Sequence, residues 1–226
     1  MDKKLEKDFA NMVANLLQTE FCKGFNPALL HGFMGIASEA SEILNKYQNS
    51  CEFTESSESI EFDRIDTLVE LSDLLHYVQM IVGTLGSSIT EVLELNLHIP
   101  NTYWDGTVEE QVSGSLREFM RLSSGSGELL NRYKKFMFYH GEPFGREEIL
   151  AKLFILLYHM QVVLDILDSS FEEIILVNLA KLNVRYPNGY SHDKAITHHR
   201  DKKGERVAIE NALRRRMTKK KEVDEI

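Results

Sequence analysis

Two pairs of acids are spaced as a chemical site would need them. Glu39 and Glu42 are three residues apart, and so are Glu70 and Asp73. Residues at i and i+3 share one face of a helix, so each pair points one way if its stretch is helical. Around the second pair, Phe62, Ile65, Leu68, Val69, Leu74, Leu75, Val78 and Val82 take up most of a helical circumference. Asp66, Glu70, Asp73 and Tyr77 share the narrow stripe that is left, and no lysine or arginine falls in it. Like charges at this spacing repel, and more strongly where water is scarce. Two readings follow: the acids face open solvent, or a cation sits among them. Oxygen-only ligands from facing helices suit Mg²⁺ or Mn²⁺. Such an ion could bridge a substrate's phosphates, orient a water and offset the charge on a departing pyrophosphate. A di-iron centre would instead need Glu-x-x-His motifs. Asn45 and Asp73 stand where those histidines would be, so that chemistry recedes.

The elements that must carry these acids are helical. Apolar residues recur at helical spacing along nearly the whole chain, and strand-like alternation is almost absent. Helices are expected at about 4–20, 28–48, 62–83, 88–98, 115–139, 146–168 and 171–184, with a short charged one near 203–218. The polar, serine-rich stretch 49–61 reads as a loop between the two acid helices. Pro100–Gly106 breaks the chain, His140–Gly145 makes a turn, and Pro187–Gly189 ends the last core helix. The fold class expected is an all-α bundle.

The chain also repeats itself. HGFMGIASEASEILNKY, from His31, aligns with REFMRLSSGSGELLNRY, from Arg117. HYVQMIVGTLGSSITEVLELNL, from His76, aligns with YHMQVVLDILDSSFEEIILVNL, from Tyr158, which places Gln79 on Gln161 and Asn96 on Asn178. Paired Phe-Met, Gln and Ser-Ser identities are more than amphipathic patterning requires. Two fused units are expected, 1–106 and 107–192, followed by a charged C-terminal tail, 193–226.

Glu39-x-x-Glu42, 27 intervening residues and Glu70-x-x-Asp73 together resemble the paired motif of the MazG-like, all-α nucleoside triphosphate pyrophosphohydrolases. That superfamily includes the dimeric dUTPases and the phosphoribosyl-ATP pyrophosphatases. NLAKLNVRYPNGYS, Asn178 to Ser191, resembles the segment after the last core helix of MazG-like proteins. The resemblance covers most of residues 28–192, and its specific part is these two short motifs. It implies Mg²⁺-dependent cleavage of a (d)NTP to (d)NMP and pyrophosphate through a metal-activated water. It also implies four acids as metal ligands, and phosphate contacts from Asn178 and Lys181. Glu39 and Glu42 are equal candidates for the base.

Under this resemblance the repeat has a consequence. The second copy carries Gly125, Lys152 and Ile155 where the first has Glu39, Glu70 and Asp73; only Glu128, opposite Glu42, remains. The first copy has Ile99 and Tyr103 where the second has Lys181 and Arg185. A fused pseudo-dimer with one composite site follows: the first copy supplies the ion, and Asn178, Lys181 and Arg185 of the second hold phosphate. A catalytically inactive nucleotide-sensing or interaction module of the same fold is the alternative, since one copy has already lost its acids. A purely structural scaffold is a third reading.

Other residues carry two readings each. His31 could approach the base or sugar, or simply sit at a helix start. Tyr186 could reach the nucleotide, or staple the extended segment to the bundle. Tyr103 and Trp104 could stack on a nucleobase or pack between the repeats. His198 and His199 read as solvent-exposed. No Ser-His-Asp or Cys-His set and no Walker pattern occurs, and Gly125-Ser-Gly127 falls inside an expected helix.

Composition narrows the classes further. With 226 residues, 43% of them hydrophobic, the chain can bury a sizeable core. A net charge of −9 argues against general nucleic-acid binding, where phosphate neutralisation dominates affinity. The local exception is Arg214–Arg216 with Lys219–Lys221, read as a solvated, fraying helix end or as a patch for an anionic partner. The charged N-terminus lacks a signal-peptide core, and no membrane span is expected. Cys22 and Cys51 match no metal or redox spacing and suggest a reducing compartment. A cytoplasmic protein follows, able to pair as a homodimer as members of that superfamily do.

Overall fold

Among the described residues, Asn26, Asp63, Ser88, Ser170 and Asp201 cap helix starts through side-chain oxygens, and the chain turns left-handed just after two helix ends, at Gly86 and Asp168. The computed structural model describes residues 24–52, 63–95, 97, 108–139, 144–189 and 200–224, without the side chains of 49–52, 108–115 and 217–224. Among the described residues there are seven helices and no strand, an all-α bundle. They are α1 (Pro27–Glu52), α2 (Arg64–Thr84), α3 (Ile89–Leu93), α4 (Val108–Tyr139), α5 (Arg146–Ile166), α6 (Phe171–Arg185) and α7 (Lys202–Asp224). The helix expected at 4–20 lies outside the described residues, as do Tyr103, Trp104, His198 and His199.

Several boundaries differ from the sequence expectation. The first acid helix runs on through Glu52, into the stretch read as a loop. The helix expected at 88–98 is one turn and a half, Ile89–Leu93. Only Val92 of that helix is buried, and Leu93, Leu95 and Leu97 are exposed, so packing gives no reason to prolong it. The helix expected from 115 begins at Val108, before Gly114. In the C-terminal region α7 lies along α6 and buries Ile209, Leu213 and Glu205.

The aligned segments make matching local structure. After α2, Gly86 takes a φ of +65°; after α5, Asp168 takes +47°. The next serine donates its N–H back into the helix in each case, Ser87 to Val82 O and Ser169 to Leu164 O, both at 2.8 Å. Ser88 then caps α3 and Ser170 caps α6, each accepting from the backbone N–H three residues on. Ser87 Oγ donates to Glu91 at 2.6 Å, and Ser169 Oγ to Glu173 at 2.6 Å.

Long-range contacts are exchanged in the same way. Arg64 Nε, at the start of α2, donates to Leu167 O at the end of α5 (2.8 Å). Arg146 Nε, at the start of α5, donates to Leu85 O at the end of α2 (3.2 Å). Phe33 packs on Tyr133 with ring centroids 4.9 Å apart, and their aligned counterparts Phe119 and Tyr47 pack at 5.1 Å. Helix α1 packs on α2 and α4, α4 on α5, α2 on α6, and α3 on α5. Residues of both segments thus share one apolar core, with Ile36, Leu71, Val78, Leu122, Leu157 and Val163 at its centre.

Helix α5 is long and apolar enough to cross a membrane by length and composition, although no membrane span was expected from the sequence. Half of its apolar window is buried inside the bundle, and that accounts for its hydrophobicity.

Candidate metal centre

Helix α1 carries Glu39 and Glu42, and α2 carries Glu70 and Asp73. Two glycines let these helices approach closely. A Cβ on Gly35 would lie 2.3 Å from the Tyr77 ring, and one on Gly32 would lie 2.4 Å from Ile81 Cγ1. No larger residue fits at either position unless the side chain of Tyr77 or Ile81 shifts. The approach brings carboxylate oxygens of Glu39, Glu70 and Asp73 within 4.8 Å of one another, in a half-buried cluster that could hold a metal ion. Glu42 stands beside them, exposed.

Asp66, in the same stripe of α2, is not part of the cluster. It pairs with Arg206 of α7.

The acids feel one another. The Glu39 carboxyl is pushed from 4.5 up to about 7, first by burial and then by Asp73, Glu42 and Glu70, with Lys181 opposing. Burial and Glu70 also raise Glu42, against the pull of Lys46. Burial, Glu39 and Asp73 raise the Tyr77 hydroxyl. A carboxyl raised by burial and then by neighbouring carboxylates marks a place where added positive charge is favoured. The donors are hard oxygens, and they fit a hard divalent cation.

Among the described residues two cations reach the acids, and neither lies in the acid stripe of α2. Lys46, one turn beyond Glu42 on α1, places Nζ 2.5 Å from Glu70 Oε1. Lys181 comes from α6, is 1% exposed, and pairs with Asp73. Asn178, three residues earlier on α6, donates from Nδ2 to Asp73 Oδ1 (3.1 Å) and to Ser72 O (3.2 Å). A helical stripe shows only its own residues, and these partners arrive along the chain or across the bundle. For Lys46, the i+4 spacing from Glu42 was a readable signal.

Of the residues expected at phosphate, Asn178 and Lys181 therefore stand on the acid cluster. Arg185 is placed differently: its Nε and Nη2 both donate to Glu205 of α7, each at 3.0 Å. Arg200 donates to the same carboxylate at 2.8 Å. Nothing in the spacing of Glu205 pointed to this role. Tyr186 caps α6 half-buried, with the Arg185 guanidinium 5.9 Å from its ring. His31 is exposed and its ring lies edge-to-face with Tyr77, centroids 5.6 Å apart. At the aligned positions of the second segment, Lys152 Nζ lies 2.6 Å from Glu128 Oε1. Comparison with protein-family models, with curated proteins and with solved structures finds no match.

Proposed function

We propose that this chain is a Mg²⁺-dependent nucleoside triphosphate pyrophosphohydrolase that splits the substrate between its α- and β-phosphates. The observation that carries the reading is the meeting of three carboxylates from α1 and α2 with Asn178 and buried Lys181 from α6. Metal ligands and phosphate-type donors converge on one place, and a phosphoryl substrate needs both. The spacing that resembles the MazG-like enzymes supports the same reading. The exchanged contacts of the aligned segments support a fused pseudo-dimer with one composite site.

Glu39, Glu70 and Asp73 would hold the ion, with Glu42 beside them. Bound there, Mg²⁺ or Mn²⁺ would neutralise phosphate charge. Glu39 and Glu42 are equal candidates for the base that takes the proton of the attacking water. That water's oxygen bonds to the α-phosphorus as the bond to the β-phosphate's bridging oxygen breaks, and pyrophosphate leaves. Asn178 Nδ2 and Lys181 Nζ exchange Asp73 for phosphate oxygens and hold the leaving group. Arg185 adds its charge from behind, anchored by Glu205. Nucleoside triphosphates and Mg²⁺ abound in the cytoplasm, the compartment this reading assumes.

A nucleotide sensor without turnover is the second reading, favoured by the lysines already seated on Glu70 and Asp73. The test is a panel of NTPs and dNTPs with Mg²⁺, with products separated into pyrophosphate and orthophosphate. Pyrophosphate release that disappears in Glu70→Gln supports hydrolysis. Binding without product supports the sensor.

A further inference from the structure

Between α4 and α5 lies a cavity of about 250 Å³, lined by Arg121, Ser124, Gly125, Glu128, Lys152, Ile155, Leu156 and His159. These positions align one for one with Gly35, Ser38, Glu39, Glu42, Glu70, Asp73, Leu74 and Tyr77 of the first segment. The chemistry is inverted. Four carboxylates at the acid cluster are answered here by two cations and a single carboxylate. We propose that this cavity binds a small phosphate-bearing anion without a metal, at a site distinct from the acid cluster.

The cavity is built for such a ligand. Glu118 is fully buried and accepts from Arg121 Nη1 at 2.7 Å, while its other oxygen sits 2.7 Å from His159 Nδ1. One buried carboxylate thus fixes a guanidinium and an imidazole on the wall before any ligand arrives. Preorganisation of this kind lowers the entropic cost of binding. The Arg121 side chain stays 34% exposed, so it remains reachable. Arg117 lies 3.8 Å from Glu118 and offsets its charge further.

Lys152 faces Arg121 from the opposite helix. Its partner Glu128 has a side chain 65% exposed, and so solvated a carboxylate can swing away at little cost. A phosphate can then bridge Lys152 and Arg121, as point charge and fork. Ile155 and Leu156 offer an apolar wall to whatever carries the phosphate. The volume lies just below the range of pockets for drug-sized ligands, which suits pyrophosphate or a nucleoside 5′-monophosphate.

The experiment is calorimetric titration of the full chain in EDTA with inorganic phosphate, pyrophosphate, a nucleoside 5′-monophosphate and the phosphate-free nucleoside. We expect one equivalent of pyrophosphate or monophosphate to bind, and no nucleoside. Lys152→Met should weaken binding at least tenfold, and Glu128→Gln, which removes the competitor, should tighten it severalfold. A folding defect cannot produce that gain. Glu70→Gln should leave binding unchanged while removing any turnover, so this inference and the proposed hydrolysis fail separately. Absence of binding by every phosphate probe would overturn the inference. So would binding indifferent to Lys152 and Glu128, binding lost with Glu70→Gln, or binding of the bare nucleoside.

Discussion

Lys181 and Asp73 meet across the bundle, the lysine almost completely buried and the aspartate still partly open to solvent. A buried ammonium is tolerated only when a carboxylate answers it, and removing one partner leaves a charge that folding disfavours. The pair ties α6 to α2 at the acid cluster and places a cation where phosphate would arrive.

Asp73→Asn should therefore destabilise the protein by about 2–3 kcal/mol, because Lys181 is left buried without its carboxylate. Lys181→Met should cost less, since Asp73 can turn to water. The double variant should recover most of the loss, and urea unfolding of all four proteins measures the coupling. Additive losses would show that the pair is not coupled.

Under the proposed hydrolysis, Lys181→Ala should cut turnover nearly as severely as Asp73→Asn, while Glu128→Gln leaves it almost unchanged. Rates of pyrophosphate release with Mg²⁺ decide this. Loss of activity in Glu128→Gln would refute the single composite site.

Glu39 and Glu205 should give the stability curve two separate pH windows. Glu39 is raised from 4.5 to about 7, so the folded chain holds its proton more tightly than the unfolded one. Stability in EDTA should then fall as pH rises from 4.5 to 7. Glu39→Gln should flatten that fall and stabilise the metal-free protein by about 1 kcal/mol above pH 7, allowing for solvent screening. Mg²⁺ should restore stability to the natural chain more than to the variant. Urea midpoints at a series of pH values, with and without Mg²⁺, provide the check.

Glu205 has the opposite sign. Burial pushes its carboxyl up, but hydrogen bonds from Arg185 and Arg200 outweigh this and hold it at about 2. The stabilisation is complete above 4.5 and is lost as pH falls toward 2. Glu205→Gln should cost about 2 kcal/mol near neutral pH and make the protein less sensitive to acid. An acid-unfolding profile identical to that of the natural chain would contradict this role.

Gly35→Ala should push α1 from α2, because its Cβ would meet the Tyr77 ring at 2.3 Å. A loss of about 1–3 kcal/mol is expected, together with weaker Mg²⁺-induced thermal stabilisation. Tyr77→Ala in the same chain should restore much of the stability by making room.

How much was legible beforehand depended on the range of the interaction. The 3.6-residue periodicity around Leu68, Leu71 and Leu75 sufficed for the helices, since burying an apolar face is a property of each segment. The Ser-Ser identity of the repeat was legible too, and the structure turns it into two caps, Ser88 and Ser170, each accepting from a backbone N–H three residues on. The acids could be paired within α1 and within α2, but not across them. Their gathering depends on Gly32 and Gly35 admitting the side chains of α2, a packing fact with no periodic signature.

The all-α class, the repeat and the set of possible ligands can be read from the order of the residues. Which of them meet is a matter of how the helices pack. Glu39, Glu70 and Asp73 close into a cluster while Asp66 turns to Arg206. Lys181 reaches Asp73, but Arg185 is drawn to Glu205. Charges choose partners by distance and desolvation, and both are fixed only once the helices have packed.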